Sequence, residues 1–222
     1  MDFSPFWISL KISVFSTLLT FFLGILAAWG IGRTKRAKNI LDALFSLPLV
    51  LPPTVTGFFL LMIFSRYSSF GAFLSELGLH FLFTWQGGVI AAMVISFPVM
   101  YRTTRGAFEQ IDRTILDAAR TLGMSEFDIF RKLMIPNSLP GVMAATMLSF
   151  ARSLGEFGAT IMVAGNIPGK TQTMAVAVYT AMQGGNKAVA FRWVAIIFAL
   201  SILILLLMNL LTENHFGRRQ KR

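Results

Sequence analysis

Residues 111–136 read IDRTILDAARTLGMSEFDIFRKLMIP. This pattern predicts two short helices joined by a glycine turn. Asp112 is a residue type that caps helix N-termini, and Gly123 can end the first helix in the left-handed conformation. Ser125, followed three residues later by an acidic side chain, has the spacing of a capping box that opens the second helix. Pro136 is expected to end that helix, so the stretch forms a structured protrusion.

Long apolar runs on both sides of this stretch are typical of a membrane protein. Hydrophobic residues make up 55% of the chain and charged residues only 14%, whereas soluble domains carry about 25% charged residues. A transmembrane helix needs about 20 mostly apolar residues. The five runs are residues 6–32, 40–64, 86–101, 141–164 and 192–213. We therefore predict an all-α integral membrane protein of about five transmembrane helices.

The basic residues of the chain are divided unequally between the two sides of this predicted membrane domain. Fourteen Lys and Arg side chains lie in the turn 33–39, the loop 102–140 and the tail 214–222, and four lie in the segments between. Basic loops stay in the cytoplasm, so the N-terminus is expected outside and the C-terminus inside. Residues 1–222 then form a single membrane domain, with loop 102–140 joining the third and fourth spans in the cytoplasm.

The net charge of +10 does not indicate a nucleic-acid partner. The basic residues sit at the ends of apolar runs, which matches membrane topology, whereas nucleic-acid binding needs them clustered on one face. The lipid bilayer is therefore the expected surrounding.

The cytoplasmic loop resembles the EAA loop of ABC importer permeases. Asp117-Ala118-Ala119, Gly123 and Leu133-Met134-Ile135-Pro136 have the spacing of that motif, with Asp117 in place of the usual Glu. In that family the loop supplies a coupling helix that docks in a groove of the ATP-hydrolysing subunit. The other interpretation is an amphipathic hairpin that lies on the membrane surface. The resemblance implies ATPase-coupling roles for Asp117, Ala118, Ala119, Gly123, Leu133, Ile135 and Pro136.

Three further segments resemble molybdate importer permeases, and sulfate permeases share much of the same pattern. They are residues 47–53 (LPLVLPP), 151–160 (ARSLGEFGAT) and 166–169 (NIPG). The resemblance implies a bacterial inner-membrane permease that imports molybdate, or the similar tungstate, with sulfate as the alternative substrate. It also implies a second copy of the chain, two ATP-binding subunits and a periplasmic molybdate-binding protein as partners.

The second apolar run contains candidate pathway residues. Pro52 and Pro53, close after Pro48, remove backbone donors, so the helix must break or kink there. The freed carbonyls must then face protein or a water-filled cavity, and broken transmembrane helices often mark transport sites. Thr54 and Thr56 follow at once and offer hydroxyl groups to an oxyanion. Two interpretations stay open, because these residues either line the pathway or only shape the packing.

The fourth apolar run contains Arg152, Ser153 and Glu156. Ionisable residues inside a membrane are costly and mark functional sites by default. Arg152 and Glu156 are four residues apart, so they can pair along one helix face, and the flanking glycines allow close helix approach. We expect this segment to lie at a dimer interface and help to form a gate, with simple packing as the other interpretation.

Catalytic chemistry has no visible place in this sequence. There is no Walker A, catalytic triad or HExxH pattern, and no cysteine, so we expect no enzyme activity, cofactor or metal. ATP hydrolysis is expected on a separate subunit. A carrier driven by an ion gradient would show inverted repeats and several intramembrane carboxylates along a path. The sequence has no repeat, and Glu156 is the one carboxylate that lies away from the ends of the five runs.

Overall fold

The computed structural model describes residues 2–34 and 37–219, except for the side chains of residues 209 and 211–219. Lys35 and Arg36 of the predicted basic turn, and residues 220–222 of the predicted basic tail, lie outside the described residues. Every regular element within them is a helix, which confirms the all-α prediction. The α-helices are α1 (Ser4–Arg33), α2 (Lys38–Val50), α3 (Pro53–Phe64), α4 (Ser69–Glu76), α5 (Trp85–Glu109), α6 (Arg113–Thr121), α7 (Glu126–Ile129), α8 (Ile135–Leu154), α9 (Gly158–Ala164), α10 (Met174–Gln183) and α11 (Lys187–Arg219).

Within the described part of the chain, three helical stretches are long and apolar enough to cross a bilayer. They are α1, the stretch Glu126–Leu154, and Lys187–Met208 of α11. The pair α2 and α3 reaches the same criterion only if its two bent halves count as one span. Helix α5 has 25 residues but is less apolar, because Arg102 and Arg105 lie in its second half. Helices that could span a membrane are thus present, while the count of five stays a prediction.

The second predicted run breaks where its prolines indicated. Helix α2 ends at Val50, α3 begins at Pro53, and the two helices are bent by 111°. The predicted break is confirmed. Because the ring of each proline removes an N–H donor, the chain adopts extended backbone at Leu51 and Pro52 and starts a new helix.

The fourth apolar run, 141–164, is divided between two helices. Helix α8 ends at Leu154 and α9 starts at Gly158. Glycine is unfavourable inside helices, and two glycines flank the gap. The Glu156 carboxylate also accepts the Ala159 N–H at 2.8 Å, which stabilises the start of the new helix.

Pro136 does not end the second helix of the loop, contrary to the prediction. Helix α7 continues through the π-helical turn Phe130–Met134 directly into α8, where Pro136 sits in the first turn. The Ile135 N–H bonds the carbonyl of Phe130, five residues back. A proline is tolerated here because the helical hydrogen-bond pattern has just changed and its missing N–H falls in a first turn.

The core forms where α1, α5 and α8 pack together. Gly24 of α1 allows a close approach, since a Cβ atom there would lie 2.6 Å from the Met100 Cγ atom of α5. The buried side chains of this cluster are Ile25, Ala28, Ile31, Met100, Tyr101, Phe108, Val142 and Ala145.

Buried hydroxyl groups link α1 to its neighbours. The Ser16 hydroxyl bonds that of Ser153 at the end of α8, and the Ser9 hydroxyl accepts the Met174 N–H of α10 at 2.8 Å. Side-chain hydrogen bonds between helices stabilise packing in a membrane, where apolar burial gives little driving force. The end of α8 is thus tied to α1.

Candidate functional site

The loop helix α6 has a well-defined start. The Asp112 carboxylate accepts the Thr114 hydroxyl at 2.7 Å and the Thr114 N–H at 2.9 Å. The bond from the Thr114 hydroxyl contributes most, and together the two bonds hold the pKa of the Asp112 carboxyl below its usual value. The predicted N-terminal cap is confirmed.

The end of α6 and the start of α7 also follow the prediction. Gly123 has a φ of +78°, in the left-handed region that disfavours other residues. The Met124 N–H bonds the Ala119 carbonyl at 3.1 Å, and the Gly123 N–H bonds the Arg120 carbonyl at 3.0 Å, which is a Schellman ending. The Ser125 hydroxyl then accepts the Asp128 N–H at 3.1 Å and caps α7.

Arg120 joins α6 to α7 by an ion pair with Glu126, and it makes a second ion pair with Asp117 within α6. Its Nε lies 2.8 Å from Glu126 Oε1, and its Nη1 lies 2.6 Å from Asp117 Oδ1. The hydrogen bond to Glu126, with a smaller contribution from the bond to Asp117, raises the pKa of the Arg120 guanidinium above its ordinary value. Exposed pairs of this kind are each worth at most about 1 kcal/mol. Asp117 thus already has a cation partner within the chain.

The outward face of α6 is apolar. Ile115, Ala118 and Leu122 follow the spacing of one helix face, and Leu122 is 83% exposed. Ala119 is 5% exposed and faces the body of the protein. Phe127, at 61% exposure, lies just beyond the glycine turn. We call Ile115, Ala118, Leu122 and Phe127 the coupling surface.

Only Ala118 of the coupling surface was among the residues singled out from the sequence. The period of exposed apolar residues along α6, flanked by clear helix ends, could have indicated Ile115 and Leu122. Nothing local indicated which alanine would face outward.

The last three predicted coupling residues lie at the base of the loop. Leu133 and Ile135 are half-buried and Pro136 is exposed. Ile135 packs against the α1–α5–α8 core cluster. These residues belong to the connection between the loop and α8, and the structure does not bring them together with the coupling surface on α6.

The two broken helices pack against each other. A Cβ atom at Gly57 of α3 would lie 2.7 Å from the Ala159 Cα atom of α9. A Cβ atom at Gly158 would lie 3.0 Å from the Pro53 Cβ atom and 3.1 Å from the Thr54 backbone nitrogen. The break after α2 and the break after α8 therefore meet at one place, and each side needs a glycine.

The two candidate threonines differ in surroundings. Thr54 and Pro52 are exposed and Pro53 is half-buried, whereas Thr56 is 6% exposed. The Thr56 hydroxyl is buried and finds no hydrogen-bond partner within the described residues. Thr54 is the threonine whose side chain is open to a ligand.

Glu156 holds the second break together. Its side chain is 1% exposed, and its Oε2 accepts a bond from Arg152 Nη1 at 2.8 Å. Its Oε1 accepts the Ala159 N–H. The predicted pairing of Arg152 with Glu156 is confirmed, and the neighbouring Ser153 bonds Ser16 of α1. The trio thus connects α8, α9 and α1.

The fold is similar to that of membrane subunits of ABC transporters. A subunit of the MetNI methionine ABC transporter in an inward-facing conformation has a TM-score of 0.73 at 17% identity, covering 95% of this chain and 94% of that chain. A subunit of a bacterial ABC transporter that imports the acidic polysaccharide alginate has a TM-score of 0.77 at 16% identity, covering 99% and 79%. At these identities the likeness shows the fold.

The family follows from the sequence comparison. Residues 20–220 match the family described as binding-protein-dependent transport system inner membrane component, and the chain belongs to it. The family consists of transport-system membrane components and is not a family of enzymes.

Three relatives of this chain are permeases of molybdenum or sulfate transport systems. The molybdenum transport system permease protein ModB of Escherichia coli K12 is 44% identical over 203 residues, covering 90% of this chain and 89% of the relative. The putative molybdenum transport system permease protein YvgM of Bacillus subtilis 168 is 40% identical over 205 residues, covering 91% and 90%. The sulfate transport system permease protein CysT of Salmonella typhimurium LT2 is 36% identical over 197 residues, covering 88% and 71%. The resemblance to importer permeases of the molybdate and sulfate type is confirmed.

Proposed function

We propose that two copies of this chain form the membrane pathway of an ATP-driven importer that carries molybdate, and the similar tungstate, into the cytoplasm. ATP is hydrolysed on a separate subunit, two copies of which dock on the two coupling loops, and a periplasmic molybdate-binding protein delivers the anion. Residues 1–222 form one permease domain with coupling loop 102–140. The N-terminus is outside and the C-terminus is in the cytoplasm.

The coupling surface is the observation that carries this proposal. Exposed apolar patches on a helix with fixed ends mark sites where another protein binds, and an apolar helix face fits a groove of a partner. Ala118 leaves room for the partner backbone between Ile115 and Leu122. A hairpin lying on the membrane would not need Arg120 of α6 to fix the angle to α7 through Glu126.

A continuous helix connects the coupling surface with the gate candidates. Glu126–Leu154 has 29 residues, so it extends roughly 40 Å. Its first residue is held by Arg120 beside α6, and its last turn carries Arg152 and Ser153. Movement of the docked loop would therefore reach the contact between α9 and α3, where Pro52, Pro53, Thr54 and Thr56 lie. We infer that this contact, with the Arg152–Glu156 pair, is the gate.

The choice of molybdate rests on the relatives. The two molybdenum permeases are 40% and 44% identical to this chain, and the matched region covers about nine tenths of each of them. The sulfate permease is 36% identical to this chain, and the matched region covers 71% of that permease. Sulfate is therefore the second candidate substrate.

An ion-driven carrier is the less favoured class. Glu156 is the buried carboxylate of the described residues. Both its oxygens are occupied, one by Arg152 and one by the Ala159 N–H. A carboxylate that couples transport to protons must be able to bind and release a proton along the pathway. The Glu156 carboxylate is instead held by its two hydrogen-bond donors.

The decisive experiment measures ATPase activity of the chain in liposomes with its cognate ATP-binding subunit and binding protein. Binding protein loaded with molybdate, tungstate or sulfate is compared, with Gly123→Pro as the uncoupled variant. We expect molybdate and tungstate to stimulate hydrolysis and Gly123→Pro to abolish the stimulation. Stimulation by sulfate alone would replace the substrate but retain the class.

A pair of variants tests the coupling surface itself. Leu122→Asp places a charge in the proposed groove and should prevent co-purification of the ATP-binding subunit, while Leu122→Met should retain it. Retention of the ATP-binding subunit by Leu122→Asp would contradict docking on α6.

A further inference from the structure

A cavity of about 410 Å³ lies between the C-terminal ends of α1 and α5 and the loop helix α6. Three basic side chains on its wall, Arg33, Lys38 and Arg113, make no ion pair within the described residues. The carboxylates on the same wall are already paired, Glu109 with Arg105, and Asp117 and Glu126 with Arg120. With five basic side chains and three carboxylates on its wall, the cavity has a net positive charge.

An apolar groove of about 560 Å³ lies beside this cavity, between α1 and α8. Phe22 and Leu26 line the groove, and they share one face of α1 with Arg33 at spacings of four and seven residues. Trp29 lines the cavity and Phe130 lines the groove, and their ring centroids are 4.7 Å apart. The groove and the cavity are thus adjacent along one side of α1.

We propose that an anionic phospholipid of the cytoplasmic leaflet binds at this place. Its phosphate lies among Arg33, Lys38 and Arg113, and an acyl chain lies in the groove between α1 and α8. The inference goes beyond transport but rests on the proposed orientation, which places this end of α1 at the cytoplasmic surface. Basic pockets between helices on that side are suited to anionic headgroups.

The apolar groove and the basic cavity follow each other along α1, and this arrangement favours a lipid over other occupants. Along α1 the wall is apolar at Phe22 and Leu26 and cationic at Arg33, as a lipid is apolar in its chains and anionic at its headgroup. Free phosphate would use the cations but not the groove. A second copy of the chain could cover the groove, but its equally basic cytoplasmic end would not neutralise the cations.

The bound lipid would touch three separate elements. Arg33 ends α1, Lys38 begins α2 and Arg113 begins α6. A single phosphate among them reduces their mutual repulsion and attaches the start of the coupling helix to the membrane. The lipid is therefore expected to stabilise the position of α6.

The test is native mass spectrometry of the complex of this chain with its ATP-binding subunit, delipidated and then titrated with phosphatidylglycerol or phosphatidylcholine. We expect one phosphatidylglycerol per chain to be retained in preference to phosphatidylcholine. The double variant Arg33→Gln, Lys38→Gln should weaken phosphatidylglycerol binding roughly 30-fold. The charge-matched control Lys170→Gln, Lys187→Gln, at exposed positions away from the cavity, should leave binding unchanged.

A second variant distinguishes lipid from free phosphate. Met143→Trp fills the groove without changing a charge, and it should weaken phosphatidylglycerol binding as well. Equal retention of the two lipids, full displacement by millimolar inorganic phosphate, or loss of self-association in Met143→Trp with lipid binding intact would each overturn the proposal. Lipid retention is read without transport, so its failure is separate from failure of the proposed importer function.

Discussion

Replacing Gly57 by alanine should disturb the contact between the two broken helices. The added Cβ atom would lie 2.7 Å from the Ala159 Cα atom, 2.9 Å from the Met162 Cβ atom and 3.1 Å from the Ala159 carbonyl oxygen. Two of these neighbours are backbone atoms and cannot rotate away. Helix α3 must therefore move away from α9 before the methyl group fits.

The size of the effect follows from two opposing contributions. Overpacking a tight contact costs about 1–3 kcal/mol, while alanine in place of glycine inside a helix contributes about 1 kcal/mol of stability. The net effect of Gly57→Ala is then a loss of about 0–2 kcal/mol. Gly30→Ala in α1 is the matched control, because nothing lies within 4 Å of its added Cβ atom. The control should be more stable than the parent by about 1 kcal/mol.

The measurement is the thermal unfolding midpoint of each variant in one detergent at one scan rate, since membrane proteins often unfold irreversibly. A free-energy change of 1 kcal/mol shifts the midpoint by about 2–4 °C in a chain of this size. Gly57→Ala should therefore unfold roughly 2–12 °C below Gly30→Ala, and its substrate-stimulated ATPase activity should fall. Equal midpoints for Gly57→Ala and Gly30→Ala would refute the close packing of α3 on α9.

Substitutions at three further positions test other contacts. Glu156→Ala removes both hydrogen bonds of a buried carboxylate and should destabilise the chain by about 2–4 kcal/mol, measured as the unfolding midpoint. Glu156→Gln keeps an acceptor for the Ala159 N–H, so it should lose less stability. It should still impair transport, measured as molybdate uptake. Gly123→Ala forces a side chain into the left-handed region at a cost of about 1–2 kcal/mol and should reduce binding of the ATP-binding subunit in a pull-down. Asp42→Asn weakens the 2.6 Å bond from Arg105 and should make α2 more accessible to limited proteolysis.

Each of these expectations has an opposite result. Normal uptake by Glu156→Gln at unchanged expression would remove the gating role of the Arg152–Glu156 pair. A Gly123→Ala variant that binds the ATP-binding subunit as tightly as the parent would show that the turn does not set the angle of α6. An unchanged proteolysis pattern in Asp42→Asn would show that other contacts hold α2.

Features that depend on neighbouring residues could be derived from the sequence. The caps at Asp112 and Ser125, the left-handed turn at Gly123, and the pairing of Arg152 with Glu156 all involve residues two to five positions apart. Local spacing is sufficient for them because helix geometry places such residues side by side. The apolar runs likewise indicated a membrane protein, since the bilayer requires long apolar helices.

Which helix faces are exposed and which are covered depends on packing between distant segments, and the sequence pattern does not show it. Ala118 and Ala119 are chemically identical, and the body of the protein covers only Ala119. Thr56 is buried although Thr54 is open, and Gly57 contacts Ala159 about a hundred positions further along the chain. A helix pattern defines a set of faces, but the free energy of packing between distant segments determines which face another helix covers.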